Sequence, residues 1–311
     1  MTAPAPPLLF ITGPTASGKG GLAFDVASRS GAEIISLDSM KVYREIDIAS
    51  AKPSARRRAA IPHRLIDIVD PDVDFSVAEY LPRYREAVRE VGLRGGRAVV
   101  CGGTALYLKA LWSGVSLGAP PDWDYRKKLA EEAAAEGVEA LHARLRLCDP
   151  DAAARIDSAD LRRIVRALEV LEKTGRKISS DWGWGASASA PPPGPAFAIE
   201  RPREDLYARI EARVDRMIES GLFEESRRLI ARDPPLSRSA SQLIGYKEIR
   251  AGFAANLSAQ EIAAAVKQAT RRFAKRQLTW FRKMPLEKLE ASGEVDLERL
   301  AARVLERAGW S

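Results

Sequence analysis

A glycine-rich segment near the start of the chain constrains the fold more than any other feature. The segment GPTASGK, Gly13–Lys19, directly follows the apolar run Leu8–Ile11. A short buried strand that enters a glycine-rich turn and then a helix is typical of phosphate-binding loops, in which backbone N–H groups surround one anion. The terminal lysine adds a positive charge for the outer phosphate oxygens. The sequence therefore predicts a site for a di- or triphosphate, formed by Gly13, Pro14, Thr15, Ala16, Ser17, Gly18, Lys19 and Gly20.

The residue after the loop lysine departs from the usual pattern. Such loops continue with Ser or Thr, whose hydroxyl holds magnesium, but this chain has Gly20. The phosphate cradle is thus predicted with one metal ligand missing. The sequence leaves open how a magnesium ion would be held.

Two further predicted strands end in polar residues. Glu33–Leu37 is followed by Asp38 and Ser39, and Arg97–Cys101 is followed by a Gly-Gly turn and Thr104. Because ligands of open α/β sheets bind at the carboxyl ends of the strands, we expect these residues to share one crevice with the loop. Taken alone, Asp38 could also be a cap or a magnesium ligand, and Thr104 could be a local turn residue.

The character of the chain changes near Pro120. Strand patterns give way to helices rich in Ala, Glu, Arg and Leu, and Phe197–Ile199 then predicts a strand that returns to the sheet. Trp182 and Trp184 precede a proline-rich run, Ala186–Ala196, predicted as an extended surface loop. The predicted fold class is α/β, a P-loop nucleoside-triphosphate-hydrolase-like parallel sheet core with a helical insertion domain. The core comprises residues 1–120 and the mostly helical 196–311, and the insertion comprises residues 121–195.

Charge and cysteine content limit the partners and the compartment. The chain has 49 Lys and Arg against 42 Asp and Glu, and this net charge of +7 favours a polyanionic partner. Its two cysteines cannot build a disulfide framework or a zinc finger, which favours a reducing compartment. We find no pattern of a signal peptide or a membrane span. We therefore expect a cytoplasmic protein with no membrane partner.

Sequence blocks along nearly the whole chain resemble the tRNA dimethylallyltransferases (tRNA isopentenyltransferases), bacterial enzymes that prenylate an adenine beside the anticodon. The blocks follow in the family's order. They are GPTASGK, DSMKVY (38–43), AKP (51–53), PHRLID (62–67), CGGTALYLKAL (101–111), RRIVRALEV (162–170), REDLYARIEARVDRMIESGL (203–222), SQLIGYKEI (241–249) and TRRFAKRQLTWFRK (270–283).

The resemblance implies a reaction and roles for several residues. A dimethylallyl group would pass from dimethylallyl diphosphate to the exocyclic amino group of the adenosine 3′-adjacent to the anticodon, in tRNAs reading codons that begin with U. Asp38 would accept the proton, Thr104 would hydrogen-bond nearby, and Arg213 and Lys19 would stabilise the leaving diphosphate. Tyr107 would line the prenyl slot. The implied cofactor is Mg²⁺, and we expect a monomer that binds tRNA and dimethylallyl diphosphate.

The family's helical insertion clamps the anticodon stem, and a second segment of the core also contacts tRNA. By the match, the tRNA-binding residues are Asp38, Ser39, Met40, Lys41, Thr104, Arg126, Arg162, Arg163, Ile164, Val165, Arg166, Gln242, Leu243, Ile244, Gly245, Tyr246 and Lys247. On spacing alone, the arginines at 162, 163 and 166 fit a solvated helix face equally well. Arg213 borders an apolar stripe, as a surface arginine would.

The chain departs from the family's pattern at three positions. Gly20 replaces Ser or Thr, and Lys41 replaces Gln. The family's GTAKP reads Ala49-Ser50-Ala51-Lys52-Pro53 here, so Ser50 retains a hydroxyl but the glycine is gone. Lys41 favours a contact with backbone phosphate. Three alternatives remain open from the sequence: a P-loop small-molecule kinase, an adenylate prenyltransferase, and an inactive RNA-binding remnant.

Overall fold

The computed structural model of the protein describes residues 5–113, 121–181 and 191–310. Contacts divide the chain into two compact units, residues 1–108 with 191–311 and residues 109–190. Trp182, Trp184 and the proline-rich run up to residue 190 lie outside the described residues.

A parallel sheet forms the centre of the first unit. Within the described residues its strands are β1 (Leu8–Thr12), β2 (Glu33–Leu37), β3 (His63–Arg64), β4 (Ala98–Gly102), β5 (Ala196–Glu200) and β6 (Glu287–Glu290). Their order is β3-β2-β4-β1-β5-β6, and all pairs are parallel. The predicted α/β class and the predicted strands β1, β2, β4 and β5 are confirmed. β3 and β6 were not predicted.

Helices cover the sheet and form the second unit. In the described residues they are α1 (Lys19–Ser30), α2 (Ala55–Ala60), α3 (Val77–Leu93), α4 (Ala105–Ser113), α5 (Trp123–Glu136), α6 (Val138–Cys148), α7 (Pro150–Ala153), α8 (Leu161–Thr174), α9 (Ile178–Asp181), α10 (Arg203–Glu219), α11 (Leu222–Ile230), α12 (Tyr246–Ala254), α13 (Ala259–Phe281) and α14 (Leu297–Ala308). No described helix offers an apolar stretch of the length that a bilayer crossing needs.

The core of the first unit fixes α1 directly behind the predicted phosphate loop. Leu22 and Val26 of α1 are fully buried against Leu9 and Ile11 of β1 and against Val304 of α14. α1 ends where Gly31 adopts φ 65°, a left-handed conformation that glycine adopts without steric cost. The helix that follows β1 is thereby held with its N-terminus at the carboxyl edge of the sheet.

The second unit is a helical domain with its own apolar core. Asp160 caps the N-terminus of α8, where its side chain accepts a hydrogen bond from the Arg163 N–H. Gly175, in the left-handed conformation, caps the C-terminus. Ile164 and Val165 of this helix are 0% and 7% exposed and pack into the core of the unit. The prediction that these two residues contact tRNA is therefore wrong for their side chains, because the hydrophobic stripe of α8 faces inward.

Candidate active site

The predicted phosphate loop joins β1 to α1 and leaves several amide groups available to an anion. Among the described residues, none accepts a hydrogen bond from the backbone N–H of Ala16, Gly18, Lys19 or Gly20. Gly13 has φ 144°, and a Cβ there would lie 3.0 Å from Ser17 Oγ and 3.1 Å from the Ile199 carbonyl oxygen. Glycine is thus required where the loop approaches β5. The loop has the geometry of an anion cradle at a helix N-terminus.

Cationic side chains from the second half of the chain contact the loop. Arg201 Nε donates to the Ser17 carbonyl at 2.8 Å, and Arg209 Nε donates to the Ala16 carbonyl at 3.0 Å. Because the Arg201 side chain is buried and pairs with Asp205, it supports the loop from behind. Sequence reasoning missed both arginines, although Arg209 lies one helical turn before Arg213 in α10.

A cavity of about 850 Å³ opens beside the loop. It is lined by Lys19, Asp38, Lys41, Thr104 and Arg213, as well as by residues of α13. Arg213 Nη1 lies 3.4 Å from Thr15 Oγ1, so its guanidinium points at the loop. The interpretation of Arg213 as a surface arginine is therefore wrong, and the structure brings the three predicted catalytic residues to one cavity.

Asp38 and Thr104 are tied together at the carboxyl ends of β2 and β4. One Asp38 oxygen, Oδ1, accepts hydrogen bonds from the N–H groups of Met40 at 2.9 Å and Lys41 at 3.3 Å. The Ser39 N–H donates to Thr104 Oγ1 at 3.1 Å. In the part of the chain that the structure describes, Asp38 Oδ2 has no hydrogen-bond partner. Asp38 thus stabilises the turn after β2 through Oδ1, and Oδ2 is available to bind a ligand.

The cavity is strongly cationic. Burial, together with Arg213 and Lys41, lowers the pKa of Lys19 from 10.5 to about 8. Burial likewise lowers the pKa of Arg213, although Asp38 opposes this shift. A buried cation without enough compensating negative charge is unfavourable, so an anion bound between these side chains would be stabilised.

A buried carboxylate shapes the cavity wall that includes Ala49–Pro53. Glu225 of α11 is 2% exposed and accepts hydrogen bonds from three consecutive N–H groups, those of Asp47 (3.0 Å), Ile48 (2.8 Å) and Ala49 (2.9 Å). Lys52 Nζ is held at 2.6 Å from Asp47 and 2.5 Å from Asp67. Sequence reasoning missed Glu225, because nothing in its local sequence distinguishes it from a surface helix residue.

The segment 242–247 contributes to the cavity only in part. Leu243 and Ile244 line it, whereas Gln242 and Lys247 are exposed. Tyr246 is buried at the start of α12. The chain turns between the cavity-lining Leu243 and Ile244 and the start of α12 at Gly245, which has a left-handed φ of 90°.

Tyr107 does not line the cavity, contrary to expectation. Its ring is buried against Tyr80, with 4.4 Å between the ring centroids. Burial raises the pKa of Tyr107 well above its usual range. The apolar part of the cavity wall comes instead from Val214, Met217, Leu243, Val266 and Phe273.

The arginines of the second unit differ in their surroundings. Arg126 binds the fully buried Glu169 through two hydrogen bonds of 2.7 and 2.8 Å, and Arg166 binds the same carboxylate. Arg162 and Arg163 are exposed on α8. Of the four predicted tRNA-binding arginines, two are therefore largely committed to a buried ion pair and two present their charge to solvent.

Two protein-family models match this chain. Residues 41–284 match the family model described as IPP transferase, and residues 6–65 match one described as isopentenyl transferase. The chain belongs to the IPP transferase family.

Curated relatives and solved structures extend the match to nearly the whole chain. The chain is 45% identical over 276 residues to the tRNA dimethylallyltransferase of Geobacter metallireducens, covering 89% of each chain. It is 47% identical over 286 residues to that of Moorella thermoacetica, covering 89% of this chain and 87% of the relative. The crystal structure of the full-length tRNA isopentenylpyrophosphate transferase from Bacillus halodurans is 35% identical, with a TM-score of 0.70 over 98% of this chain and 96% of that one.

A eukaryotic structure described as dimethylallyltransferase acting on tRNA is also similar. It is 25% identical, with a TM-score of 0.76, and the match covers 98% of this chain and 78% of that chain. This IPP transferase therefore has the P-loop α/β fold of its relatives across both halves of the sequence.

The donor groups at the cavity of this IPP transferase fit a metal held largely by ligand oxygens. Among the described residues, no cluster of three His, Cys, Asp or Glu side chains could hold a metal ion. A Cβ built on Gly20 would meet nothing within 4 Å, so a hydroxyl is missing where space for one exists. Asp38 Oδ2 and the Thr15 hydroxyl remain as oxygen donors. Mg²⁺ needs few protein ligands when diphosphate oxygens and waters complete its octahedron.

Proposed function

We propose that the protein transfers a dimethylallyl group from dimethylallyl diphosphate to the exocyclic amino group of the adenosine 3′-adjacent to the anticodon, in tRNAs reading codons that begin with U. The observation that carries this proposal is one shared cavity: it joins an anion cradle, two cations and a carboxylate oxygen that has no hydrogen-bond partner among the described residues. Membership in the IPP transferase family supports the same reaction.

The first part of the proposed mechanism is the stabilisation of the leaving diphosphate. As the C–O bond of the dimethylallyl carbon breaks, negative charge grows on the diphosphate. The N–H groups of Ala16, Gly18 and Lys19 and the side chains of Lys19 and Arg213 stabilise that charge. Such preorganised donors act most strongly in a site from which water is excluded.

The second part is the attack of the adenine amino group and the removal of its proton. Its nitrogen lone pair forms the new C–N bond to the dimethylallyl carbon, and a proton must leave the nitrogen. Asp38 Oδ2 accepts this proton as the general base. The Thr104 hydroxyl hydrogen-bonds the adenine and orients it. The adenosine reaches this edge of the sheet by flipping out of the RNA stack.

The apolar wall of the cavity suits the five-carbon tail. The cavity is lined by Val214 and Met217 of α10, by Leu243 just before α12, and by Val266 and Phe273 of α13. Burying the tail against this wall holds the reactive carbon in line with the diphosphate oxygen, and it favours a prenyl diphosphate over inorganic pyrophosphate.

Mg²⁺ is the proposed cofactor, and it would neutralise charge on the diphosphate oxygens when bound. The Thr15 hydroxyl would hold it, together with diphosphate oxygens and waters. Arg162 and Arg163 are proposed to contact tRNA phosphates, and we propose a monomer that works in the cytoplasm, where tRNA is modified.

A transfer assay tests the proposal. The purified protein is incubated with Mg²⁺, dimethylallyl diphosphate and an unmodified tRNA with adenosine 3′ to the anticodon, and the modified nucleoside is identified by mass spectrometry. Matched reactions contain the same tRNA with guanosine at that position, or AMP instead of tRNA. Prenylation of AMP, or turnover of ATP with a small-molecule acceptor, would reject the proposal in favour of the rival activities.

A further inference from the structure

Gln277 connects the phosphate loop to the turn that carries Thr104. This residue of α13 is 5% exposed, and its amide oxygen accepts a hydrogen bond from the Thr15 N–H at 2.8 Å. Its amide nitrogen donates to the Gly103 carbonyl oxygen, also at 2.8 Å. Only one orientation of the amide satisfies both partners, because one of them is a donor and the other an acceptor.

The first hydrogen bond selects which loop amides face an anion. Since the Thr15 N–H points at Gln277, it is withdrawn from the cradle, whereas the N–H groups of Ala16, Gly18 and Lys19 stay available. Gln277 therefore determines the conformation in which the loop meets a diphosphate.

The second hydrogen bond holds the turn that carries Thr104 against the loop. Gly103 precedes Thr104, whose hydroxyl oxygen accepts a hydrogen bond from the N–H of Ser39, the residue after Asp38. A Cβ at Gly103 would lie 2.6 Å from the Gln277 amide nitrogen and 3.3 Å from the Gly13 carbonyl oxygen. The close approach of Gln277 thus explains why the turn has glycine at this position.

We propose that Gln277 is a positioning residue that fixes the distance between the diphosphate cradle and the Asp38–Thr104 edge. The proposal rests on the proposed function, because prenyl transfer needs the leaving group and the amine on opposite sides of one carbon. Gln277 lines the cavity, but its amide oxygen and its amide nitrogen both already bind backbone groups of the protein. A misplacement of about 1 Å in such a constellation can cost roughly a hundredfold in rate.

Two substitutions separate positioning from simple packing. Gln277→Met has a similar volume and loses both hydrogen bonds. Gln277→Glu keeps the acceptor for the Thr15 N–H, but it donates to the Gly103 carbonyl only when its carboxyl is protonated. Gln268 is an exposed glutamine on the same helix, so Gln268→Met and Gln268→Glu are matched controls.

We expect Gln277→Met to lower kcat by about tenfold to a hundredfold and to weaken binding of inorganic pyrophosphate several-fold, with tRNA affinity unchanged. Gln277→Glu should also lower kcat, because an ionised carboxylate cannot donate to the Gly103 carbonyl oxygen and would bring two acceptors against each other. Both controls should behave as wild type.

A kcat and a pyrophosphate affinity in Gln277→Met equal to those of wild type would overturn the proposal. A wild-type kcat in Gln277→Glu would also overturn it, and this variant decides if the methionine protein does not fold. Failure of the proposed function would appear differently, as absence of prenyl transfer in the wild-type protein. Calorimetry with pyrophosphate would then still test the role of Gln277.

Discussion

Raising the pH should weaken diphosphate binding through Lys19. In the free protein, burial lowers the pKa of Lys19 from 10.5 to about 8, so at pH 9 only about a tenth of this side chain is charged. A bound diphosphate favours the charged form and raises that pKa. If the pKa returns to 10.5, the difference corresponds to about 3 kcal/mol, or more than about a hundredfold in affinity at high pH. Affinity should therefore fall up to tenfold per pH unit above pH 8.

Isothermal calorimetry with dimethylallyl diphosphate, without tRNA and at constant free Mg²⁺, measures this dependence between pH 7 and pH 10. Lys19→Arg is the control, because a guanidinium stays charged throughout this range. Its affinity should be nearly constant with pH. A wild-type affinity that does not change between pH 7 and pH 9.5 would refute the reasoning.

Lys19 should affect the stability of the free protein in the opposite direction, so that the free energy of unfolding rises with pH. Without ligand, the folded-state pKa of Lys19 lies below the unfolded value, so between about pH 8 and 10.5 the unfolded chain binds more protons. The contribution of Lys19 to the free energy of unfolding should therefore rise with pH in this window and be constant below it. The difference in urea unfolding between wild type and Lys19→Met isolates this contribution from other titrating groups.

Four further predictions concern the other site residues. Asp38→Asn, which keeps the acceptor for the Met40 N–H, should lower kcat by about 10²–10⁴ at unchanged tRNA affinity, and a wild-type single-turnover rate would exclude a general base here. Arg213→Lys should keep binding dimethylallyl diphosphate but transfer more slowly than wild type, because the planar fork is lost; equal rates at saturating substrate would contradict this. Gly20→Thr should lower the half-saturating Mg²⁺ concentration, since open space surrounds that position, and identical titrations would show that residue 20 never approaches the metal. Replacing Arg162 and Arg163 with Gln should reduce the slope of log Kd for tRNA against log salt by about 0.7–0.9 for each phosphate contact, and an unchanged slope would mean that they are only solvated.

The sequence predicted the sheet where its strands are apolar and end in glycine or polar residues. β1, β2, β4 and β5 have this pattern, whereas β3 has two residues and β6 is the charged segment EKLE. Nothing local distinguishes these two edge strands from loops. Their place in the sheet depends on pairing with β2 and β5, which is a long-range effect.

Local sequence pattern also predicted part of the candidate site, but not the residues whose contacts are long-range. Residues that lie in the loop or directly after a strand, such as Lys19, Asp38 and Thr104, follow from local pattern and the rule that strand ends meet. The residues that hold them in place, Arg201 and Gln277, could not be found in this way, because their partners are set by the tertiary fold. Their polar side chains are buried, which a sequence alone does not reveal.

The contacts that support the phosphate loop have a consequence for how the protein is made. Thr15, Ala16 and Ser17 leave the ribosome well before their partners Gln277, Arg209 and Arg201, which follow 262, 193 and 184 positions later. A nascent or prematurely terminated chain that ends before α13 therefore contains the whole loop sequence without the scaffold that shapes it. Such fragments should not sequester prenyl diphosphate, and the site matures only after α13 has been synthesised.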